Sequence, residues 1–361
     1  MKNYIKLFSL SVFSILFLNA KSQDLHFSQF NENPSLINPA LTGAAHVIRA
    51  SAIYKDQWRS ITVPYKTFGA SFEMKFKASA WDKVGNHETE KYKKAFNRLA
   101  GGLSFYSDKA GDGSMGTTNV NLSLATFIPV NKKSSISVGL QASVVQKKVD
   151  YTKFIWPDQY NGSTYDASAA SGESYTTNNF IYPDFAGGLL YTYGYNEKAI
   201  GANNQFRFEF GVSMYHLASP KLKYLSQTSE RLYSKQNIHG KCLVGIRNTN
   251  VSLMPSFLFS YQGATKEMIE GIMIRHSFKD DSKYTGFIKA STFSYGGFYR
   301  NKDAFIAVVQ MEFAQYSIAF SYDINTSKLT KVSGFRGGPE ITLRFVSPSP
   351  YLYQKSKAKF N

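Results

Sequence analysis

Through much of the chain, hydrophobic residues recur at every second position. Phe206, Phe208, Phe210 and Val212 alternate with Arg207, Glu209, Gly211 and Ser213, and Tyr316, Ile318, Phe320 and Tyr322 alternate with Ser317, Ala319, Ser321 and Asp323. A period of two separates the sets onto opposite faces of an extended strand, one greasy and one polar. The same reading makes Val251, Leu253, Pro255, Phe257, Phe259 and Tyr261 the outward set of one strand, with Ile136, Val138, Leu140, Ala142 and Val144 repeating it earlier. Fourteen such strands are predicted, starting near His46, Tyr65, Arg98, Thr117, Ser135, Asp184, Phe206, Ile238, Val251, Glu267, Tyr284, Ala304, Tyr316 and Pro339. An even number returns the chain to the side it started from. Most strands approach the roughly 9 to 11 residues that a tilted strand needs to cross a bilayer. The expected fold is all-β, a transmembrane antiparallel barrel of about 14 strands spanning residues 46–346.

Connector lengths sort by strand parity. Short links are expected after even strands, at Val130 to Ser134, Asn248 to Asn250, Lys279 to Lys283 and Phe313 to Gln315; long ones after odd strands, at Lys148 to Tyr182, Leu217 to Asn237 and Asn325 to Gly338. Outer-membrane barrels keep periplasmic turns short and surface loops long, so this parity places both ends of the mature chain in the periplasm. Lys77 to Asn97, after the second strand, breaks the rule with about twenty residues. It carries Lys83, Lys91, Lys93 and Lys94 against Asp82, Glu88 and Glu90, with Trp81, Tyr92 and Phe96 among them. Such a segment reads either as a docking element or as a solvated insertion. The largest loop, Lys148 to Tyr182, sets Tyr151, Phe154, Trp156, Tyr160, Tyr165, Tyr175 and Phe180 among Gly, Ser and Thr, which suits a recognition surface or an inward-folded lid. Residues 347–361 form a basic tail containing Lys355, Lys357 and Lys359.

The first 22 residues read as an export signal: Lys2 and Lys6, an apolar-rich run from Leu7 to Leu18, then Ala20-Lys21-Ser22 before Gln23. Residues 23–45 follow as an irregular connector packed on the barrel, for Pro34 and Pro39 lack an amide proton and push Asn33 and Asn38 away from helical geometry. Phe27, Phe30, Leu36, Ile37 and Leu41 give this connector enough apolar surface to pack on a preformed wall such as a barrel mouth.

Aromatic residues make up 16% of the chain, as the interfacial girdles of a membrane barrel require. The formal charge is +17, and it falls to +14 without Lys2, Lys6 and Lys21, since residues 1–22 hold no acid. A basic surface favours an acidic partner, and export disfavours nucleic acid, leaving lipid phosphates, surface polymer or a protein. Cys242 is the only cysteine, so no disulfide framework is available. The six histidines stand singly, without metal-ligand spacing, and no cofactor or metal is expected. No catalytic constellation emerges. Gly211 to Tyr215 lacks the second glycine of a nucleophile elbow, and Asp108 to Gly116 lacks both the EF-hand spacing and the P-loop lysine, reading instead as a Gly-rich turn.

The stretch from Gln23 to Gly43 resembles the mature amino terminus of the PorP/SprF family, outer-membrane proteins of the type IX secretion and gliding machinery of Bacteroidetes. The matching residues are Gln23, Asp24, His26, Phe27, Ser28, Gln29, Asn33, Pro34, Asn38, Pro39, Ala40 and Gly43, followed in order by Tyr54 with Gln57 and Trp58, by PDFAGGLLY from Pro183, by GVSMYHLASP from Gly211 and by ITLRF from Ile341. The resemblance implies a non-enzymatic role of one of two kinds: tying a periplasmic ring, made by a lipoprotein and its partner, to the outer membrane, or serving export and surface attachment of one cognate secreted protein such as a gliding adhesin. A barrel of this size also admits a different class of function, a channel for a small solute.

Overall fold

The structure is a computed structural model and describes residues 26–59, 63–76, 98–111, 113–131, 133–166, 168–172, 179–195, 203–222, 231–279, 291–327, 330 and 334–347. Fourteen strands follow one another: β1 Ile48–Gln57, β2 Tyr65–Lys75, β3 Leu99–Ala110, β4 Met115–Pro129, β5 Ser134–Lys148, β6 Asn179–Tyr195, β7 Phe206–Tyr215, β8 Lys235–Gly245, β9 Val251–Gln262, β10 Thr265–Lys279, β11 Ser291–Arg300, β12 Ala304–Phe313, β13 Tyr316–Asn325 and β14 Arg336–Val346. Each pairs antiparallel with its neighbours in sequence, and β1 closes on β14 with Ala52 opposite Leu343, so the sheet has no free edge. Closure is what a bilayer demands, because an open edge would leave backbone N–H and C=O groups in hydrocarbon.

Burial is inverted relative to a water-soluble protein. Leu122, Leu140, Ile318 and Leu343 are each more than half exposed, whereas Asn121, Ser321, Asp323 and Glu340 are completely buried. The outward face is therefore the apolar one and the polar face lines the lumen, as the alternation predicts. Exposed aromatics lie at both ends of the wall, Phe313 and Tyr316 at one and Tyr65 and Phe335 at the other.

The end where β1 begins and β14 finishes is called the near end below, and the opposite one the far end. Near-end turns are short at 130–133, 246–250 and 314–315, and far-end connections are long at 149–178, 216–234 and 326–335. The parity of lengths is not general, since β3–β4, β9–β10 and β11–β12 are joined at the far end by tight turns. Two strand starts need correction: β6 begins at Asn179, not near Asp184, so Phe180 and Tyr182 belong to the wall rather than to the loop, and β11 begins at Ser291, not near Tyr284. Its partner β12 turns away after Phe313, which pairs with Ser291, so earlier residues have no strand to join on that side. The link expected to be short, from Lys279 to Lys283, is instead the longer connection 280–290 between β10 and β11, and Tyr284 itself lies outside the described residues.

Candidate functional site

Residues 26–45 lie inside the barrel rather than against its mouth. They form three single 3₁₀ turns, Phe30–Glu32, Pro34–Leu36 and Pro39–Leu41. A proline at the first position of the last two costs no hydrogen bond there and presets the backbone dihedral. The two Asn-Pro pairs behave differently. Asn38 is extended and its side-chain oxygen accepts from the Ala40 amide at 2.9 Å, capping the turn, whereas Asn33 makes no cap and its side-chain oxygen accepts from the Tyr106 hydroxyl of β3 at 2.5 Å.

The course of this strap follows from its partners. His26 lies 3.9 Å from Glu267, near the far-end start of β10. Glu32 has descended to Arg49 and Arg344, both near-end residues of the wall. Ser35 is back beside the far-end Tyr215, whose hydroxyl donates to the Ser35 carbonyl oxygen at 2.8 Å. Gly43 then reaches the near-end Glu73, whose carboxylate accepts its amide at 2.9 Å. The strap thus enters β1 from the near end, as expected, but its first described residue sits toward the other end.

Along this path the strap touches every strand. The Ser28 and Gln29 amides both donate to the Glu340 carboxylate of β14 at 2.8 Å, and the Ser28 hydroxyl donates to Asp323 of β13 at 2.7 Å. Asn31 donates to Ser256 of β9 at 3.0 Å, Ser213 of β7 and Asn237 of β8 donate to the Ile37 carbonyl at 2.5 and 3.0 Å, and Ser137 of β5 donates to that of Ala40 at 2.9 Å. Asn38 donates to the Leu189 carbonyl of β6 at 2.9 Å. Phe30 packs with Ile269 of β10, Phe298 of β11 and Ile306 of β12, and the last turn packs against β4 as well as β5 and β6. Phe27 with Leu36 joins Ile53 and Tyr106 in a second apolar cluster. The five apolar residues singled out in the sequence are divided between these clusters.

Three glycines make the seat. A β-carbon on Gly139 would collide with the Pro39–Ala40 backbone, and one on Gly188 or Gly211 with the Asn38 side chain. They lie on the consecutive strands β5, β6 and β7, where the wall must admit a second backbone.

Two buried ionic clusters flank the seat. Lys55 and Arg300 stand 3.7 and 3.2 Å from Asp323, and Lys55 stands 3.9 Å from Glu340. Nearer the other end, Glu32 is 2.7 Å from Arg344 and 3.3 Å from Arg49, while Arg344 and Arg275 share Glu312. Burial pushes the Glu32 carboxyl up, but Arg344 and Arg49 overcome it and hold the group at about 2. Glu32 is therefore an anion at neutral pH, fixed between two guanidiniums. On the near side of the strap an open cavity of about 280 Å³ remains, lined by Asn31 and Glu32, and on the far side one of about 110 Å³, lined by Leu36.

Of the residues picked out from the sequence, the structure brings Asn33, Pro34, Asn38, Pro39 and Gly43 together in the lumen. Trp58 stands apart at the far end of β1, with its amide donating to the Gly337 carbonyl at 2.8 Å and its ring edge-on to Tyr65 at 5.0 Å. Trp156 is also at the far end, edge-on to Phe154 at 5.7 Å, and Phe154 packs over Gly113 of the β3–β4 turn. Trp81, Lys91, Lys93 and Lys94 lie outside the described residues. Arg49, Lys55, Glu340, Arg344 and the glycine seat were missed; the available signal was full charges interrupting an otherwise small, polar inward face. His216 does pair with Asp184 at 2.7 Å, but the hydroxyl proton of Ser213 is given to the Ile37 carbonyl. Among the described residues no group of three or more His, Cys, Asp or Glu is placed to hold a metal ion.

A closed 14-stranded barrel with an apolar outer wall and a polar, strap-filled interior is a transmembrane protein of the outer-membrane β-barrel class. The chain belongs to the family described as type IX secretion system membrane protein PorP/SprF, which matches residues 19–345. No curated protein matches it. Among solved structures, it is similar to a FadL homologue of Pseudomonas aeruginosa, with 10% identity and a TM-score of 0.41 over 85% of this chain and 91% of that one. It is also similar to the TodX deltaS2S3 mutant monoaromatic hydrocarbon channel, with 8% identity and a TM-score of 0.41 over 86% and 92%, and to BamA from Haemophilus ducreyi lacking POTRA domains 1-3, with 8% identity and a TM-score of 0.39 over 83% and 70%.

Proposed function

We propose that this outer-membrane component of type IX secretion is a non-enzymatic, plugged barrel that works as a membrane-embedded platform rather than as a conduit. The observation that carries the reading is the strap itself, bonded to or packed against all fourteen strands. A lumen filled this way favours anchorage over solute passage, so the work falls to the two ends. Residues 1–22 serve as the export signal, the near end faces the periplasm, and the barrel holds the periplasmic ring, the lipoprotein and its partner, to the membrane. The basic connector between Lys75 and Leu99 leaves and re-enters the wall at this end, which supports its assignment as the docking element. The client-specific role, export and attachment of a cognate adhesin, would instead use the far-end loop around Trp156. That reading is weakened by Phe154 and Asp150, which tie the loop back onto Gly113.

Purified protein in liposomes tests closure: no flux of small sugars is expected, and rapid flux with an intact secretome in the deletion strain would establish the channel instead. Replacing Lys77 to Asn97 by a short turn tests the docking element. The barrel should remain heat-modifiable but lose recovery of ring proteins from membranes; unchanged recovery and secretion would remove the connector from consideration.

A further inference from the structure

The strap descends the lumen as it is followed from its first described residue. His26 lies 3.9 Å from Glu267, near the far-end start of β10. Ser28 and Gln29 then bond to Glu340, further down β14, Asn31 to Ser256 in the middle of β9, and Glu32 to Arg344, close to the near-end finish of β14. Each partner lies closer to the near end than the one before. Followed backwards, the same line leaves the lumen at the far end.

The surroundings of His26 fit an exit there. Its side chain is 22% exposed, whereas Phe27 and Ser28 are buried. Together with Phe27 it borders a small cavity whose wall residues include Lys235 at the start of β8, Ser260 near the finish of β9, and Glu267, all in the far half. Strands β9 and β10 are joined above it by the tight turn 263–264, and β11 and β12 by 301–303. The long far-end connection from β7 to β8 packs Leu222 and Leu232 elsewhere, on Val145, Phe180 and Tyr182 of β5 and β6.

Reach decides the side. With the export signal removed after Ser22, only Gln23, Asp24 and Leu25 precede His26. The chain from Gln23 to His26 spans at most about 11 Å. A return to the near end would have to cover β10 from Glu267 to Lys279, roughly 28 Å along the barrel axis at a tilt of about 45°. Phe30, Ile37 and Ala40 of the strap, all buried, already occupy the lumen it would pass through. Strand parity fixes the start of β1 and the finish of β14 at the near end, but it does not fix the amino terminus, because the strap adds three passes before β1.

We propose that the mature amino terminus is displayed at the far end of the barrel, on the opposite face of the membrane from the finish of β14. With the near end in the periplasm, that face is the cell surface. The proposal deepens the platform reading and rests on its export signal: a partner that holds this chain end on one face is joined, through Phe27 to Asn31, to Glu32, which Arg344 and Arg49 clamp near the other. It is tested on the full chain carrying Cys242→Ser, with Asp24→Cys and Leu25→Cys made separately and treated in intact cells with a maleimide polymer too large to cross porins. Gly162→Cys marks the far end and Thr249→Cys the near end. Both test variants should label as Gly162→Cys does, at least tenfold more than Thr249→Cys, and the difference should vanish on lysis. Heat-modifiable migration checks that each variant is folded, and the intact mass of the purified chain reads removal of residues 1–22. Labelling at 24 and 25 that tracks Thr249→Cys on the shortened chain would overturn this proposal alone, as would no labelling at either position even after lysis, which would leave that end buried in the barrel. A chain of full-length mass would overturn the export signal and this proposal with it. If positions 24, 25 and 162 are shielded together while 249 labels, the assigned orientation falls and the placement at the far end is upheld.

Discussion

Asn38 is the residue on which the strap should turn. It is completely buried, caps the Ala40 amide at 2.9 Å and donates to the carbonyls of Leu189 and Val212 at 2.9 and 3.2 Å. Asn38→Ala removes a cap worth about 1 kcal/mol. It also takes away the side-chain donor to the Leu189 and Val212 carbonyls in the interior, at about 1–3 kcal/mol. The space between Gly188 and Gly211, shaped for an amide, is left unfilled. Together these weaken the seating by about 2–4 kcal/mol, which is on the order of 30- to 1000-fold more frequent release. Hydrogen exchange in nanodiscs reads this directly: amides of 37–42 should lose protection by that factor while those of β5 to β7 keep theirs. Gly188→Ala should reproduce the effect from the wall side, because its β-carbon meets the Asn38 oxygen, and the double variant should cost less than the sum of the two. Unchanged protection at 37–42, or equal loss over the strands, would refute the role given to Asn38.

Glu32 sets a pH dependence. Its value in the folded protein, about 2, lies below the 4.5 of the free side chain, so its contribution is complete above 4.5 and is lost as pH falls towards 2; strap proteolysis should rise across that window, and less steeply in Glu32→Gln. Leu140, 66% exposed in mid-β5, faces lipid, so Leu140→Arg should destabilise insertion by roughly 2–4 kcal/mol in a liposome folding titration. In a background lacking Cys242, a cysteine at Gly162 should label in intact cells and one at Thr249 should not, and the reverse would invert the assigned orientation. Deleting residues 26–41 should lower refolding yield and melting temperature together, and a deletion variant that refolds and melts like the parent would make the strap a passenger.

The wall was legible because lipid imposes one rule on every strand. The outward set read from Val251 to Tyr261 holds in β9, where Ser252, Ser256 and Ser260 are the buried partners. Starts such as Tyr65, Phe206, Val251, Ala304 and Tyr316 coincide with those observed. Strand β11 escaped because its start depends on where β12 turns, which is a property of pairing and not of local alternation. The lumen was much less legible. Arg49, Lys55 and Arg344 fall on polar faces, where a charge reads equally as water-facing, and Glu340 bonds to Ser28 across 312 residues of sequence. Nor does the sequence distinguish Asn33-Pro34 from Asn38-Pro39, of which only the second is capped by its own asparagine.

Strap and wall complete one another, and the path of the strap bears on how the two come together. From His26 toward the far end it runs down to Glu32, back up to Ser35 and down again to Gly43, so it doubles on itself within a closed ring. Threading a doubled chain through a finished barrel would require passing Phe30 and Ile37 through a lumen lined by buried charges. Strands gathering around the strap meet no such obstacle, since each new strand adds a partner: Ser137, then Leu189, then Ser213 and Asn237. The glycines of β5, β6 and β7 fit this order, because their missing side chains leave room for the strap backbone and Asn38 on three adjacent strands. The same argument explains why the ionic groups sit where they do. Glu340 without the two strap amides, or Glu73 without that of Gly43, would be a buried carboxylate short of donors, so these two wall carboxylates gain their backbone donors only with the strap in place.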